Sequence, residues 1–275
     1  MSSVGVVFSD PVSSAFRPAF CELAVDAARR AGAFLRSRFG SRPAFATKGS
    51  STNLVTEMDE GAEAIIVEAI RARFPDHAIL AEERGALPGA AAHRWIVDPL
   101  DGTTNYAHGL PIYGVSIALE IEGVLALGVI YDPSRDELFV AERGRGATLD
   151  GAPIRVSPTA RMAESLLGTS YPNDIRTAAR DNRAEHGALL LRCHGVRTIG
   201  SAVLGLASVA AGRLDGYWEQ RLGAWDVAAG ALLIREAGGT VTSVSGGPLD
   251  LAAPSIVASN GLVQAEILAA LKEVA

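Results

Sequence analysis

The stretch "WIVDPLDGTTNYAHG", Trp95 to Gly109, ends an apolar run in two carboxylates and follows them at once with glycine, two threonines and asparagine. Carboxylates at the end of a buried run are costly to desolvate unless a positive charge sits between them. Oxygen ligands select hard cations, so Asp98 and Asp101 point to a cation site, with Mg2+ as the natural candidate. The two residues stand three apart across Pro99-Leu100, and a regular strand would send i and i+3 to opposite faces. A turn at Pro99 is therefore required if both carboxylates, with the Leu100 carbonyl, are to face one pocket. Read alone, the pair is equally an Asp-rich turn in which Asp101 or Thr103 caps a helix.

Gly102-Thr103-Thr104 extends the cation reading. Free amides at a helix start would face the same pocket, and amides together with cations suit a phosphate group. Gly102 lets the backbone come close, and the Thr103 hydroxyl can orient a water. A Walker-type glycine loop is absent, which disfavours nucleotide hydrolysis of that kind. No Cys/His pairing occurs among the five histidines and two cysteines, which argues against zinc.

The elements that must position these groups can be read from periodicity. Phe20, Leu23, Ala27, Ala31, Phe34 and Leu35 recur at helical spacing between Phe16 and Phe39, with Gly40 as a stop signal. A polar loop containing Lys48 follows, then a helix capped by Thr56, with Asp59 three residues on and Pro75 beyond its end. "AILAEE" reads as a short strand ending in Glu82 and Glu83. Strands are expected near 113–121, 124–131 and 137–142, forming a meander. From about Ser165 strands and helices alternate, with helices near 174–191, from Ser201 to Ala211 and from Ala224 to Glu236. Residues 1–15 read as a flexible leader, 16–153 as an α+β half and 154–275 as an α/β half. The boundary falls in "GAPIRVSPTARMAES", punctuated by Pro153 and Pro158.

Composition narrows the function classes. A chain of 275 residues with 48% hydrophobic and 20% charged residues is a folded globular protein. A net charge of -6 disfavours a nucleic-acid scaffold. Cys21 and Cys193 are too few for a disulfide framework, so a reducing cytoplasm is the expected home. The most apolar stretch, "IGSAVLGLASVAAG", is too short and too rich in Gly and Ser to span a bilayer, and no membrane partner is expected.

"AEE" at Ala81 to Glu83, "WIVDPLDGTTNY" at Trp95 to Tyr106 and "GAWDVAAGALLIREAGG" at Gly223 to Gly239 together resemble the signature segments of the inositol monophosphatase family. The likeness runs from about Phe16 to the end of the chain, in the family's order. It implies an Mg2+-dependent, lithium-sensitive phosphomonoesterase with a layered αβαβα sandwich, two or three Mg2+ per subunit and a homodimeric state. By that resemblance Glu82, Asp98 and the Leu100 carbonyl hold one ion, and Asp98, Asp101 and Asp226 a second. Thr103, supported by Asp59, with Glu82, orients or deprotonates the attacking water, and Lys48 sits near the site. Asp101, Gly102, Thr103, Thr104 and Asp226, with Gly200, Ser201, Ala202 and Glu219, line the substrate pocket. The implied reaction is in-line hydrolysis of a polyol phosphate, most simply inositol monophosphate, by a metal-activated water.

Taken singly, these residues have plainer readings. Asp226 can be a helix-start residue favoured by the dipole, Glu82 a surface glutamate, Lys48 a solvated lysine and Ser201 an N-cap. Asp59 can complete a capping box with Thr56, and Tyr217 and Trp218 beside Glu219 can be core aromatics. Two departures stand out: Ala81 replaces the glycine usual before the paired glutamates, and "SYPND" at Ser170 to Asp174 is only loosely like the family's segment. Other substrates of the same fold therefore stay open: fructose 1,6-bisphosphate, histidinol phosphate and adenosine 3',5'-bisphosphate. So does a non-catalytic regulatory protein. An aspartyl-phosphate mechanism is disfavoured, because its D-x-D spacing is two and not three.

Overall fold

Phe20, Leu23, Ala27, Ala31 and Leu35 form the buried stripe of the first helix, α1 (Arg17–Arg38), as their spacing requires. The structure is a computed structural model that describes residues 17–40, 45–47, 54–172, 174–178 and 181–274. The expected leader, Lys48 and the side chain of Thr56 lie outside the described residues.

A short hairpin, β1 (Phe45–Thr47) and β2 (Leu54–Thr56), flanks the stretch that reads as a polar loop. Helix α2 (Glu57–Arg73) begins directly after it. Then come β3 (His77–Ala81), β4 (Gly85–Leu87), the long β5 (Ala90–Asp101) and the single-turn α3 (Thr103–Ala107). The expected meander is present as β6 (Gly114–Ile121), β7 (Val124–Asp132) and β8 (Glu137–Glu142), continued by β9 (Gly146–Leu149) and β10 (Ala152–Pro153). These strands form an eight-stranded sheet ordered β10-β9-β8-β7-β6-β5-β3-β4, in which only β3 and β5 pair in parallel.

The rest of the chain alternates as its rhythm predicts: β11 (Leu166–Thr169), α4 (Arg183–Leu190), β12 (Gly195–Thr198), α5 (Ala202–Ala210), β13 (Gly216–Gln220), α6 (Ala224–Glu236), β14 (Thr240–Thr242), β15 (Ser255–Ser259) and α7 (Gln264–Lys272). The second sheet is ordered β12-β11-β13-β15-β14. Helix α4 is shorter than the 174–191 expected. Residues 174–177 make a turn, and Asn182, at φ 67, takes a left-handed conformation that ends any helix approaching from that side.

Three apolar clusters fix the layers. One joins α1 and α2 to one face of the first sheet. A second places α5 and α6 between the sheets, where Ile96, Ala118 and Ile130 meet Leu206, Ala228 and Tyr217. The third packs α4 and α7 on the outer face of the second sheet around Trp218 and Val257. The result is an αβαβα sandwich, the class expected from the sequence. Helix α6 lies so close to β7 that a Cβ on Gly128 would sit 2.8 Å from the Ala229 carbonyl oxygen. Each fully buried Leu, Ile or Val in these layers contributes roughly 1.5–3 kcal/mol. Among the described residues no helix is long and apolar enough to cross a membrane.

Candidate active site

The central strand β5 carries Asp98 and Asp101, and the chain solves their facing problem without a turn at Pro99. Asp98 pairs with Ser116 and Asp101 with Gly114, so three steps on β5 match two on β6. This register shift is a bulge, and it places Pro99 where a strand can dispense with its N–H. The extra residue brings both carboxylates to one side. The Leu100 amide donates to Asp98 Oδ1 at 3.0 Å, which closes the bulge locally.

Asp226 arrives from the other direction, at the third position of α6. Its Oδ2 accepts the Gly223 amide at 2.5 Å, half of a capping box whose other half a glycine cannot supply. The plain helix-start reading holds, and the residue also lines the cleft. One carboxylate oxygen from each of Asp98, Asp101 and Asp226 lies within 4.8 Å of the others. Glu82, just beyond β3, lies outside that triplet but lines the same cleft of about 440 Å³.

The other expected residues fall into three groups. Leu100, Gly102, Thr103, Thr104, Gly200, Ala202 and Glu219 all line the cleft. Asp59 is buried on α2, close enough to raise the Asp98 pKa. Ser201, expected to meet substrate, is 1% exposed. Its hydroxyl donates to Asp101 and accepts the Leu204 amide at 3.1 Å, so it caps α5 and positions Asp101 from beneath. Trp218 is core, and Tyr217 donates its hydroxyl to Glu219.

The electrostatics show a site built for added positive charge. Asp98 is held well above the usual carboxylate range, first by burial and then by the charges of Glu82, Asp101, Asp226 and Asp59. Burial raises Asp101 to about 6 against the opposing hydrogen bonds from Ser201 and the amides of Val203, Ala202 and Gly102. Asp226 is raised to about 7, by burial and then by Asp101. Burial pushes Glu219 up to about 8 despite its bond from Tyr217. Among the described residues the one basic side chain on the cleft wall is Arg221, which donates to Asp174 at 2.6 Å. An all-oxygen donor set with this much acidity fits a hard divalent cation, and among the described residues no histidine or cysteine lines the cleft to favour zinc.

Several residues that hold the site carry no sequence signal of their own. Asn105 donates from Nδ2 to the carbonyls of Ile112 at 2.9 Å and Ile199 at 3.0 Å, tying α3 to the loop before α5. Glu63, fully buried, accepts the Glu83 amide at 2.8 Å and pairs with Arg84 Nε at 3.2 Å, which anchors the turn bearing Glu82. Ser170 and Tyr171 also line the cleft. The signal available for Glu63 is its register: with Asp59, Ile66 and Ile70 it occupies the buried stripe of α2, where an unpartnered charge is untenable.

Comparison with known proteins agrees with this geometry. The description "Inositol monophosphatase family" matches residues 19–275. The chain is 47% identical over 252 residues to the inositol-1-monophosphatase of Synechocystis sp., covering 91% of this chain and 88% of that protein. It is 42% identical to the Nus factor SuhB of Escherichia coli, covering 91% of this chain and 95% of that one. The solved inositol monophosphatase of Anabaena (Nostoc) sp. superposes with a TM-score of 0.85 at 44% identity, covering 94% of this chain and 97% of that chain. Fold, cleft and relatives define the class: a phosphoric monoester hydrolase. The chain belongs to the inositol monophosphatase family.

Proposed function

We propose that the protein hydrolyses inositol monophosphate to inositol and phosphate with Mg2+ as cofactor. The observation that carries this reading is the convergence of Asp98, Asp101 and Asp226 within 4.8 Å, on a wall whose one basic group among the described residues is Arg221. A phosphate dianion cannot approach that wall unless cations neutralise it first.

Asp98, Asp101, Asp226, Glu82 and the Leu100 carbonyl would hold two or three ions. Bound Mg2+ supplies Lewis acidity that eases ionisation of a water and stabilises the oxygen of the departing alcohol. The chain's own residues do the rest. Thr103 gives its single hydroxyl proton to the Leu100 carbonyl at 3.0 Å, so its lone pairs are left to accept a proton of the attacking water and aim it. Asp59, a buried carboxylate of α2, supports Thr103 and adds to the negative field at Asp98 that favours a cation. The backbone at Gly102 and Thr104, on the cleft wall, would meet the phosphate, and Gly102 permits the close approach of that wall to the Ile112 carbonyl. Glu219, Gly200 and Ala202 face the polyol hydroxyls, with Glu219 oriented by Tyr217.

The test is phosphate release from inositol 1-phosphate, fructose 1,6-bisphosphate, histidinol phosphate and adenosine 3',5'-bisphosphate, each with and without Mg2+. Turnover that needs Mg2+ and is fastest on inositol 1-phosphate is the expected result. Preference for another of the four would overturn the substrate assignment, and no release from any would leave the non-catalytic reading in its place.

A further inference from the structure

A second cavity lies away from the carboxylate cleft. It measures about 590 Å³ and lies at the far ends of the elements that build the carboxylate cleft: the start of β5 at Arg94, the end of β6 at Glu120 and the last turn of α6 at Arg235. Asp226 and Arg235 are nine residues apart on α6, or about 14 Å along its axis, so one small substrate cannot occupy both places. The volume is in the range of small-molecule sites, about 300–1,000 Å³.

The charges on its wall are unevenly matched. Glu236 is engaged by the amides of Gly144 at 2.9 Å and Gly146 at 2.8 Å. Glu120 is engaged by Arg94, through Nε at 2.7 Å and Nη2 at 2.6 Å. Asp250 accepts the Ala252 amide at 2.9 Å. Arg235 has no hydrogen-bond or ion-pair partner among the described residues, and its charged neighbour is Arg143. Burial, and then the charge of Arg143, hold its pKa below the ordinary value. The wall also carries the apolar side chains of Leu125, Leu232, Leu249 and Leu251.

We propose that this second cavity binds a small organic anion, with its phosphate or carboxylate head between Arg235 and Arg143 and an apolar body against the four leucines. An anion there supplies the acceptors that Arg235 lacks, and a planar guanidinium suits either head group in bidentate fashion. The site is independent of the carboxylate cleft and of the reaction assigned to it.

The experiment is calorimetric titration of the full chain, stripped of divalent ions so that the acidic cleft repels anions. The probes are phenylphosphonate and phenylacetate, with inorganic phosphate as the arm lacking an apolar body. Expected is one saturable site per chain for a phenyl probe, tighter than for inorganic phosphate. It should be weakened at least tenfold in both Arg235→Gln and Arg143→Gln, and unchanged in Asp98→Asn. A difference between the two phenyl probes identifies the head group. No saturation by either probe up to about 10 mM, or binding that survives both arginine changes, or loss in Asp98→Asn, would each overturn the proposal. Far-UV circular dichroism of each variant guards against misfolding, and either arginine variant alone suffices if the other fails to fold.

Discussion

At the scale of single residues, Asp98 bears the greatest load, because it is the carboxylate on which Glu82, Asp101, Asp226 and Asp59 all press. Asp98→Asn keeps an oxygen to accept the Leu100 amide and removes the shared charge. We expect turnover to fall at least about a thousandfold while the fold is retained. In metal-free protein the melting temperature should be equal or higher, since a buried repelled carboxylate is gone. Measurable activity near the parent level would remove Asp98 from the machinery. Glu63→Ala makes the complementary point. It strands the Glu83 amide and the Arg84 guanidinium, so a stability loss of about 1–3 kcal/mol is expected in urea unfolding, together with a weaker Mg2+ requirement curve. The four acidic residues were legible because their type and motif context mark them. Asn105 was not, because its role is a hydrogen bond to backbone far along the chain, which no local pattern encodes, and Glu63 shows only through its place in the buried stripe of α2.

At the scale of elements, the chain's local code was clearest where one period runs unbroken. Helix α6 occupies Ala224–Glu236, as its alternation of small and apolar residues predicts, and the meander strands fall within a residue of expectation. The reading failed where a tertiary partner overrides the local signal. Pro99 suggests a turn, yet pairing with β6 carries β5 through it by a bulge. The polar run around Lys48 suggests only a loop, yet short strands flank it. Residues 174–177, polar enough to pass for a helix start, turn instead, and Asp174 at their head pairs with Arg221 of the cleft wall. The hinge between β5 and α3 is Gly102, at φ 89, where a Cβ would lie 2.8 Å from the Ile112 carbonyl oxygen. Gly102→Ala should therefore cost more than the roughly 1–2 kcal/mol of left-handed strain alone. Gly109→Ala is the control, with φ 73 and no atom within 4 Å of its Cβ. Denaturant titration of the two should rank Gly102→Ala as clearly the less stable, and equal losses would mean that the close approach has no energetic weight.

At the scale of the whole molecule, two layers bring carboxylates to one cleft, Asp98 and Asp101 from the first sheet and Asp226 from the helix between the sheets, with Asp59 of α2 buried close enough to act on Asp98. Their layering was legible as a fold class, but their convergence rested on family resemblance, since residues 98 and 226 are distant in sequence and no spacing rule joins them. Convergence ties folding to protons and metal. In the metal-free chain Asp101 titrates at about 6 and Asp226 at about 7, both above the ordinary carboxylate value of 3.8. Between about pH 4 and 7 the folded chain then binds more protons than the unfolded one, so this cluster's contribution to stability is full at the acid end and is lost as pH rises through those values. A divalent cation competes with the same protons, and its affinity must rise across that window. The rise in melting temperature on adding Mg2+ should accordingly be small near pH 5 and large near pH 8. Glu219, raised to about 8 by burial and then by Asp226 and Asp101, shifts stability in the same direction, and a cation that neutralises those two carboxylates lowers its pKa and so adds to the difference between the curves with and without Mg2+. Asp226→Asn should flatten the subtracted curve. An Mg2+ effect that is constant with pH, or larger near pH 5, would show that the ion stabilises the protein from somewhere other than these carboxylates.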